Sequence, residues 1–216
     1  MHRSTRLCLL LLALALPGLT PAAIITLSDN VSQGLAGFRI IGSLAWKAQA
    51  FSTTDSAFRI TDVALPLSRN DVTGGDLLVS IFNSSGSGGT PGAKLADVAT
   101  VLASSLGTTS SALYDIPNLS ITLTPTTSYF LVLSGVGLTG GAVWWDATLS
   151  TSGTGFPSAR NSSADGGASW GANNMEFPNQ MRIQADAGAV PEPATLALFA
   201  IGLAGLEARR AARRRC

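Results

Sequence analysis

The chain has 216 residues, 46% of them hydrophobic and only 12% charged, and its 14 Lys+Arg against 13 Asp+Glu give a net charge of +1. Its single histidine, His2, and its two cysteines, Cys8 and Cys216, lie near the termini. The long interior therefore has no residue for a Ser-His-Asp set, a cysteine nucleophile, a His-ligated metal or a disulfide framework.

In chain order, Arg3 and Arg6 precede an apolar run, Leu7 to Leu16, which Pro17 and Gly18 break before small residues through Ala23. That is the charged, apolar and cleavage layout of a secretory signal peptide, cut after Ala22 or Ala23. The plainer alternative is a retained N-terminal anchor. Cys8 falls inside the apolar run, too early for a lipoprotein attachment site. With residues 1–23 assigned to export and 188–216 to the tail, residues 24–187 remain as one domain by length. That body keeps seven basic and eleven acidic residues, a net charge of −4. An acidic body argues against nucleic acid or anionic lipid as its partner.

Apolar residues in the body alternate over short runs separated by Gly, Asn, Asp and Pro, which predicts an all-β sandwich or barrel; of the two, a single antiparallel β-sandwich of jelly-roll-like form is the fold expected here. Ala23 to Ser28 reads as an edge strand. Leu44 to Phe51 sets Leu44, Trp46, Ala48 and Ala50 on one face and Lys47 and Gln49 on the other. Phe58 to Leu67 changes phase near Asp62, which predicts a bulge, and Pro66 predicts an edge strand or a strand end. Asn70 to Asp76 is a polar turn whose oxygens could hold Ca²⁺, although it lacks EF-hand spacing. Leu77 to Phe82 is apolar on both faces and predicts a central strand. Ser84 to Gly92 is a flexible loop, and Lys94 to Leu106 fits a strand or a short helix. Ala112 to Ile116, Leu119 to Leu123, Ser128 to Ser134 and Ala142 to Leu149 continue the strand series, with turns at Pro117-Asn118 and Pro125-Thr126. Gln180 to Ala185 closes it, with Met181, Ile183 and Ala185 turned inward.

Trp144 and Trp145 are adjacent, so on a strand they point to opposite faces. One belongs in the core; the other is a candidate for stacking on a sugar ring unless a neighbouring loop covers it. A glycosidase needs two positioned carboxylates. Glu176 is the body's only glutamate, and Asp115 and Asp146 are further carboxylates, all with solvated surface as their ordinary role. Four Asn-x-Ser sequences, at Asn30, Asn83, Asn118 and Asn161, follow from a Ser-rich composition.

The last 27 residues have three parts in fixed order. Pro191-Glu192-Pro193 comes first, then an apolar run from Ala194 to Leu206, then an arginine cluster, Arg209, Arg210, Arg213, Arg214 and Arg215. The run is shorter than the ~17–25 residues that cross a bilayer core. Counting Ala208 and letting the arginines snorkel brings it to the lower limit, with those arginines held on the cytoplasmic side.

This tail resembles the PEP-CTERM sorting signal of Gram-negative bacteria. The resemblance implies recognition by an exosortase, a membrane-embedded cysteine transpeptidase that removes the segment near Pro191-Glu192-Pro193. Glu207 departs from the pattern by placing an acid before the arginines. An ordinary anchor that is never processed is the rival reading. The body is similar to the choice-of-anchor family of bacterial surface domains, on Gly89-Thr90-Pro91-Gly92, Leu95 and the run Leu123 to Leu133. That similarity implies a β-sandwich and a surface location, with no ligand or reaction attached. Ser163-Ala164-Asp165-Gly166-Gly167-Ala168-Ser169-Trp170 resembles the Asp-box found on β-hairpins of sialidase propellers and other β proteins. There the motif is structural, so Ser163, Asp165, Gly167 and Trp170 are expected to brace a hairpin.

The resulting expectation is a non-enzymatic protein without cofactor or metal, exported through Sec. The inner membrane holds its precursor, an exosortase processes it, and it ends in the envelope or an exopolysaccharide or biofilm matrix. The alternative is a carbohydrate-binding module acting through exposed tryptophan, and a glycan hydrolase is the weakest reading.

Overall fold

The computed structural model describes residues 23–108 and 110–187. The predicted signal peptide, sorting helix and arginine cluster lie outside these residues. The body is all-β, with twelve strands: β1 (Ile24–Asp29), β2 (Leu35–Ile41), β3 (Trp46–Ser52), β4 (Ala57–Asn70), β5 (Gly74–Asn83), β6 (Lys94–Leu102), β7 (Ala112–Ile116), β8 (Ile121–Thr122), β9 (Ser128–Thr139), β10 (Ala142–Thr148), β11 (Arg160–Ser163) and β12 (Arg182–Ala187). Among the described residues no helix is long and apolar enough to cross a membrane.

The strands form two antiparallel sheets. One runs β1-β12-β4-β10-β2 with β7 and β8 also paired to β4, and the other runs β11-β3-β9-β5-β6. Val63 pairs with both Ile183 of β12 and Ile116 of β7, so these two strands lie on opposite edges of β4. Leu67 likewise has Trp145 of β10 on one edge and Ala112 of β7 on the other. One edge of β4 is therefore shared end to end, first by β12 as far as Ala64 and then by β10 from Leu67. Pro66 falls in the gap between them. This corrects the reading of Pro66 as a strand end or edge: β4 is central, and proline, which has no N–H for a ladder, occupies the place where its neighbours change. The bulge expected near Asp62 is present, because Asp62 pairs with Gln184 while Ile60 pairs with the next residue, Ala185.

Burial follows the alternation. Leu65, Leu67, Trp145 and Ile183 from the first sheet meet Leu77, Val79, Ile81, Leu131 and Leu133 from the second in one apolar core. Each such side chain contributes about 1.5–3 kcal/mol on leaving water. The second sheet also buries its other face. Ala48, Phe82, Phe130 and Val132 form a smaller cluster, with Trp46, Ala50, Ala159 and Trp170 packed against it. Both faces of β3 are thus covered, and its polar positions Lys47 and Gln49 lie on the face it shares with the core residue Phe51.

Between the sheets runs the segment 178–181, which is held by polar side chains. The Asn179 N–H donates to Gln49 Oε1 at 2.8 Å, the Met181 N–H to Asn30 Oδ1 at 2.8 Å, and Gln180 Nε2 to the Gln33 carbonyl at 2.6 Å. These bonds satisfy backbone that would otherwise be buried without partners.

The segment left open between strand and helix resolves into both in succession: β6, then a 3-10 turn at Ala103–Ser105. Two strands have no counterpart in the sequence reading, β2 and the short polar β11. In β12, Arg59 of β4 grips Asp186, its Nε donating to both carboxylate oxygens at 2.9 and 2.8 Å. That holds the Asp186 carboxyl below the usual carboxylate range.

Candidate functional site

The two adjacent tryptophans separate as strand geometry requires. Trp145 is fully buried, and its indole N–H donates to the Gln180 carbonyl at 2.6 Å. Trp144 stands on the outer face of its sheet, half-buried, stacked on Phe38 with ring centroids 3.9 Å apart and planes 13° from parallel. Ile40 is directly opposite Trp144 in the ladder, and Phe38 is opposite Asp146. Phe38 and Ile40 remain 47% and 52% exposed. Across β4 and β7, Leu113 opposite Pro66 continues the apolar stripe. Phe38 and Ile40 escaped the sequence reading, although their two-residue spacing beside Arg39 marks one face of a strand.

Polar groups flank this platform. Ser111 Oγ donates to Asp146 Oδ1 at 2.5 Å and lies 3.1 Å from Ser68 Oγ. Burial pushes the Asp146 carboxyl above its ordinary range, and the Ser111 hydroxyl opposes that shift. Asp115 is engaged elsewhere, accepting from Arg182 Nη2 at 2.9 Å. Glu176 sits on a turn beside Arg160 of the other sheet, where its main-chain carbonyl accepts from Arg160 Nε at 2.6 Å. The three carboxylates considered for glycan cleavage are therefore not gathered at one place. At the polar turn proposed for Ca²⁺, the Val72 carbonyl accepts from Arg69 Nη1 at 2.5 Å, so a cation of the chain already occupies that oxygen.

The hairpin after β11 closes on itself through Asp165. Ser163 Oγ donates to Asp165 Oδ1 at 2.7 Å, the Ser169 N–H to the same oxygen at 2.9 Å, and Ser169 Oγ to Oδ2 at 2.5 Å. Gly167, with φ of 85°, donates its N–H to Ser163 Oγ at 2.9 Å. A Cβ at Gly167 would run into the Trp46 ring, so both its backbone angle and its packing require glycine. Trp170 meets Phe82 edge-on at 6.5 Å, which lays the hairpin over the outer face of the second sheet.

These bonds pull the Asp165 carboxyl down to about 2, with the Ser163 hydroxyl the largest cause. A carboxyl whose folded pKa is depressed contributes stability above its ordinary pKa and loses it as pH falls towards the folded one. Asp165→Ala is expected to lower the thermal midpoint at neutral pH, and the gap from wild type should close between about pH 4 and about pH 2. Circular dichroism melts across that range check it; a gap that does not vary with pH would disprove the carboxylate's role.

The sorting residues Pro191, Glu192 and Pro193 and the arginines Arg209, Arg210, Arg213, Arg214 and Arg215 lie outside the described residues. Their match is in sequence. The family model described as the PEP-CTERM protein-sorting motif matches residues 189–215. No curated protein matches the chain.

Proposed function

We propose that this chain, which carries a PEP-CTERM sorting motif at residues 189–215, is an exported protein made as a membrane-anchored precursor and processed at that motif by an exosortase. The motif match is the observation that carries the reading. The bond-breaking chemistry belongs to the partner enzyme, which attacks a peptide bond near Pro191-Glu192-Pro193 and transfers or releases what precedes it. The body is a non-enzymatic jelly-roll-like β-sandwich that the tail delivers to the envelope or an exopolysaccharide-rich matrix. Mass spectrometry of the protein from an exosortase-positive host tests this directly. A mature C-terminus near Val190 supports it, and a protein intact to Cys216 overturns it.

The outward-facing Phe38–Trp144 pair, of which Phe38 is exposed and Trp144 half-buried, favours a second role for the body, carbohydrate binding. Aromatic faces take the C–H face of a pyranose ring, and an outward-facing stacked pair beside exposed Ile40 is a platform for one. Trp144→Ala is expected to abolish retention on matrix polysaccharide while leaving the melting curve almost unchanged. Undiminished retention would remove this role.

A further inference from the structure

Three of the body's seven cations converge at one end of the space between the sheets. Arg39 of β2 and Arg160 of β11 come from different sheets, yet their guanidinium groups donate to successive carbonyls of one turn. Arg39 Nη2 reaches the Phe177 carbonyl at 3.3 Å and Arg160 Nε the Glu176 carbonyl at 2.6 Å. Lys47 of β3 faces Ser162, while Arg160 faces Gln49, two positions further along β3. Diagonal neighbours at that spacing are within reach of long side chains. Carbonyls are neutral partners, so these hydrogen bonds leave the positive charge in place. Among the described residues none of the three cations forms an ion pair, in contrast to Arg59, Lys94 and Arg182.

Two further observations single the place out. Arg39 Nε is buried without a hydrogen-bond partner. Phe177 has a left-handed φ of 51°, unusual for an aromatic residue, and its ring lies 5.7 Å from the Arg39 guanidinium carbon. The fold maintains backbone strain, an orphaned donor and mutual repulsion together, and a single anion among the three cations would relieve the repulsion. Repulsion is felt at Lys47, whose ammonium is pushed down by burial first and then by Arg39 and Arg160. Glu176, the carboxylate that acts on Arg160, remains exposed on the turn.

We propose that Arg39, Lys47 and Arg160 form a notch for one carboxylate group of an acidic sugar. One focused charge cluster on an otherwise acidic body suits a single anionic group better than a run of phosphates or an anionic membrane. The sugar follows from β2 itself. This strand ends its sheet, with Arg39 directed to the notch and Phe38 and Ile40 on the outer platform beside Trp144. A chain of acidic sugars lying along that edge meets rings and charge from opposite faces of one strand. The proposal rests on the carbohydrate reading for its sugar and on the three cations for its charge.

Calorimetric titration of the full chain in non-ionic detergent separates the two. Oligogalacturonate is expected to bind at least about tenfold tighter than its carboxyl-reduced, neutral counterpart, with affinity falling as salt rises. Lys47→Gln and Arg160→Gln should each remove most of that preference, and Lys94→Gln should not. Equal binding of the two oligomers overturns the notch and leaves the aromatic platform standing. Binding of hexaglutamate as tight as that of oligogalacturonate overturns the sugar assignment. Binding of neither oligomer overturns both. Without ligand, Lys47→Gln should raise the thermal midpoint by relieving repulsion; a lowered midpoint makes Lys47 a structural residue and overturns the notch.

Discussion

Replacing Pro191, Glu192 and Pro193 by alanine is expected to leave the protein full-length in the inner membrane. Proline fixes its own φ, restricts the residue before it and cannot donate to a helix ladder. The motif thus places two helix-disfavouring residues around one glutamate just ahead of the apolar run. Alanine removes both restrictions and introduces the strongest helix former in their place. It also removes the one negative charge that precedes the run, so a processing enzyme loses shape and charge together. The apolar run and the arginines are untouched, so membrane retention should persist while removal of the tail stops. A C-terminal epitope followed through membrane and culture fractions, in hosts with and without exosortase, reads the result. Tail removal that continues at the wild-type rate would sink the exosortase assignment, and so would removal of the wild-type tail in a host lacking the enzyme.

Trp145→Ala should bring the body to the edge of unfolding, although the same change one residue earlier is nearly silent. Trp145 is fully buried, and truncating a buried aromatic side chain to alanine costs about 3–5 kcal/mol. Its indole N–H also satisfies the Gln180 carbonyl, on the segment threaded between the sheets, and leaving that acceptor bare adds roughly 1–3 kcal/mol. Whole domains are stable by only about 5–15 kcal/mol, so the sum consumes much of the margin. Trp145→Phe keeps most of the volume and should lose mainly the hydrogen-bond share. Urea titrations followed by far-ultraviolet circular dichroism rank the variants. A Trp144→Ala cost equal to that of Trp145→Ala would mean that the phase of β10 is wrong.

How far the sequence could be read depended on whether each signal was local. The tail is a linear motif, legible without any fold, because its proline pair, apolar run and arginines act through order along the chain. β5 and β9 were legible as apolar runs with both faces buried, and β7 from the turn residues that follow it. β2 was not, because Phe38 and Ile40 face outward while Arg39 faces the space between the sheets, and only Ile41 at its end is buried in the core. The four polar residues of β11 carry no periodic signal at all; pairing with β3 makes them a strand. Pro66 misled for a related reason. A missing donor marks an edge only when its neighbour is continuous, and here two strands meet end to end beside it. The notch could not be seen at all, since its three cations stand on three different strands drawn from both sheets.

One arrangement in the first sheet matters once the protein is outside the cell. β12 ends at Ala187, directly before the sorting region, and it lies between β1 and β4. A body tethered through that end takes any tug along the length of a strand bonded on both sides, rather than peeling from a free margin. Its ladder bonds must then slide together instead of opening one by one, and the Arg59–Asp186 grip sits one residue from where the tension enters. Survival under drag is governed by how fast the domain unfolds, not only by its equilibrium stability. A tether on that inner strand would thus load the domain through shear of two ladders rather than at a free margin.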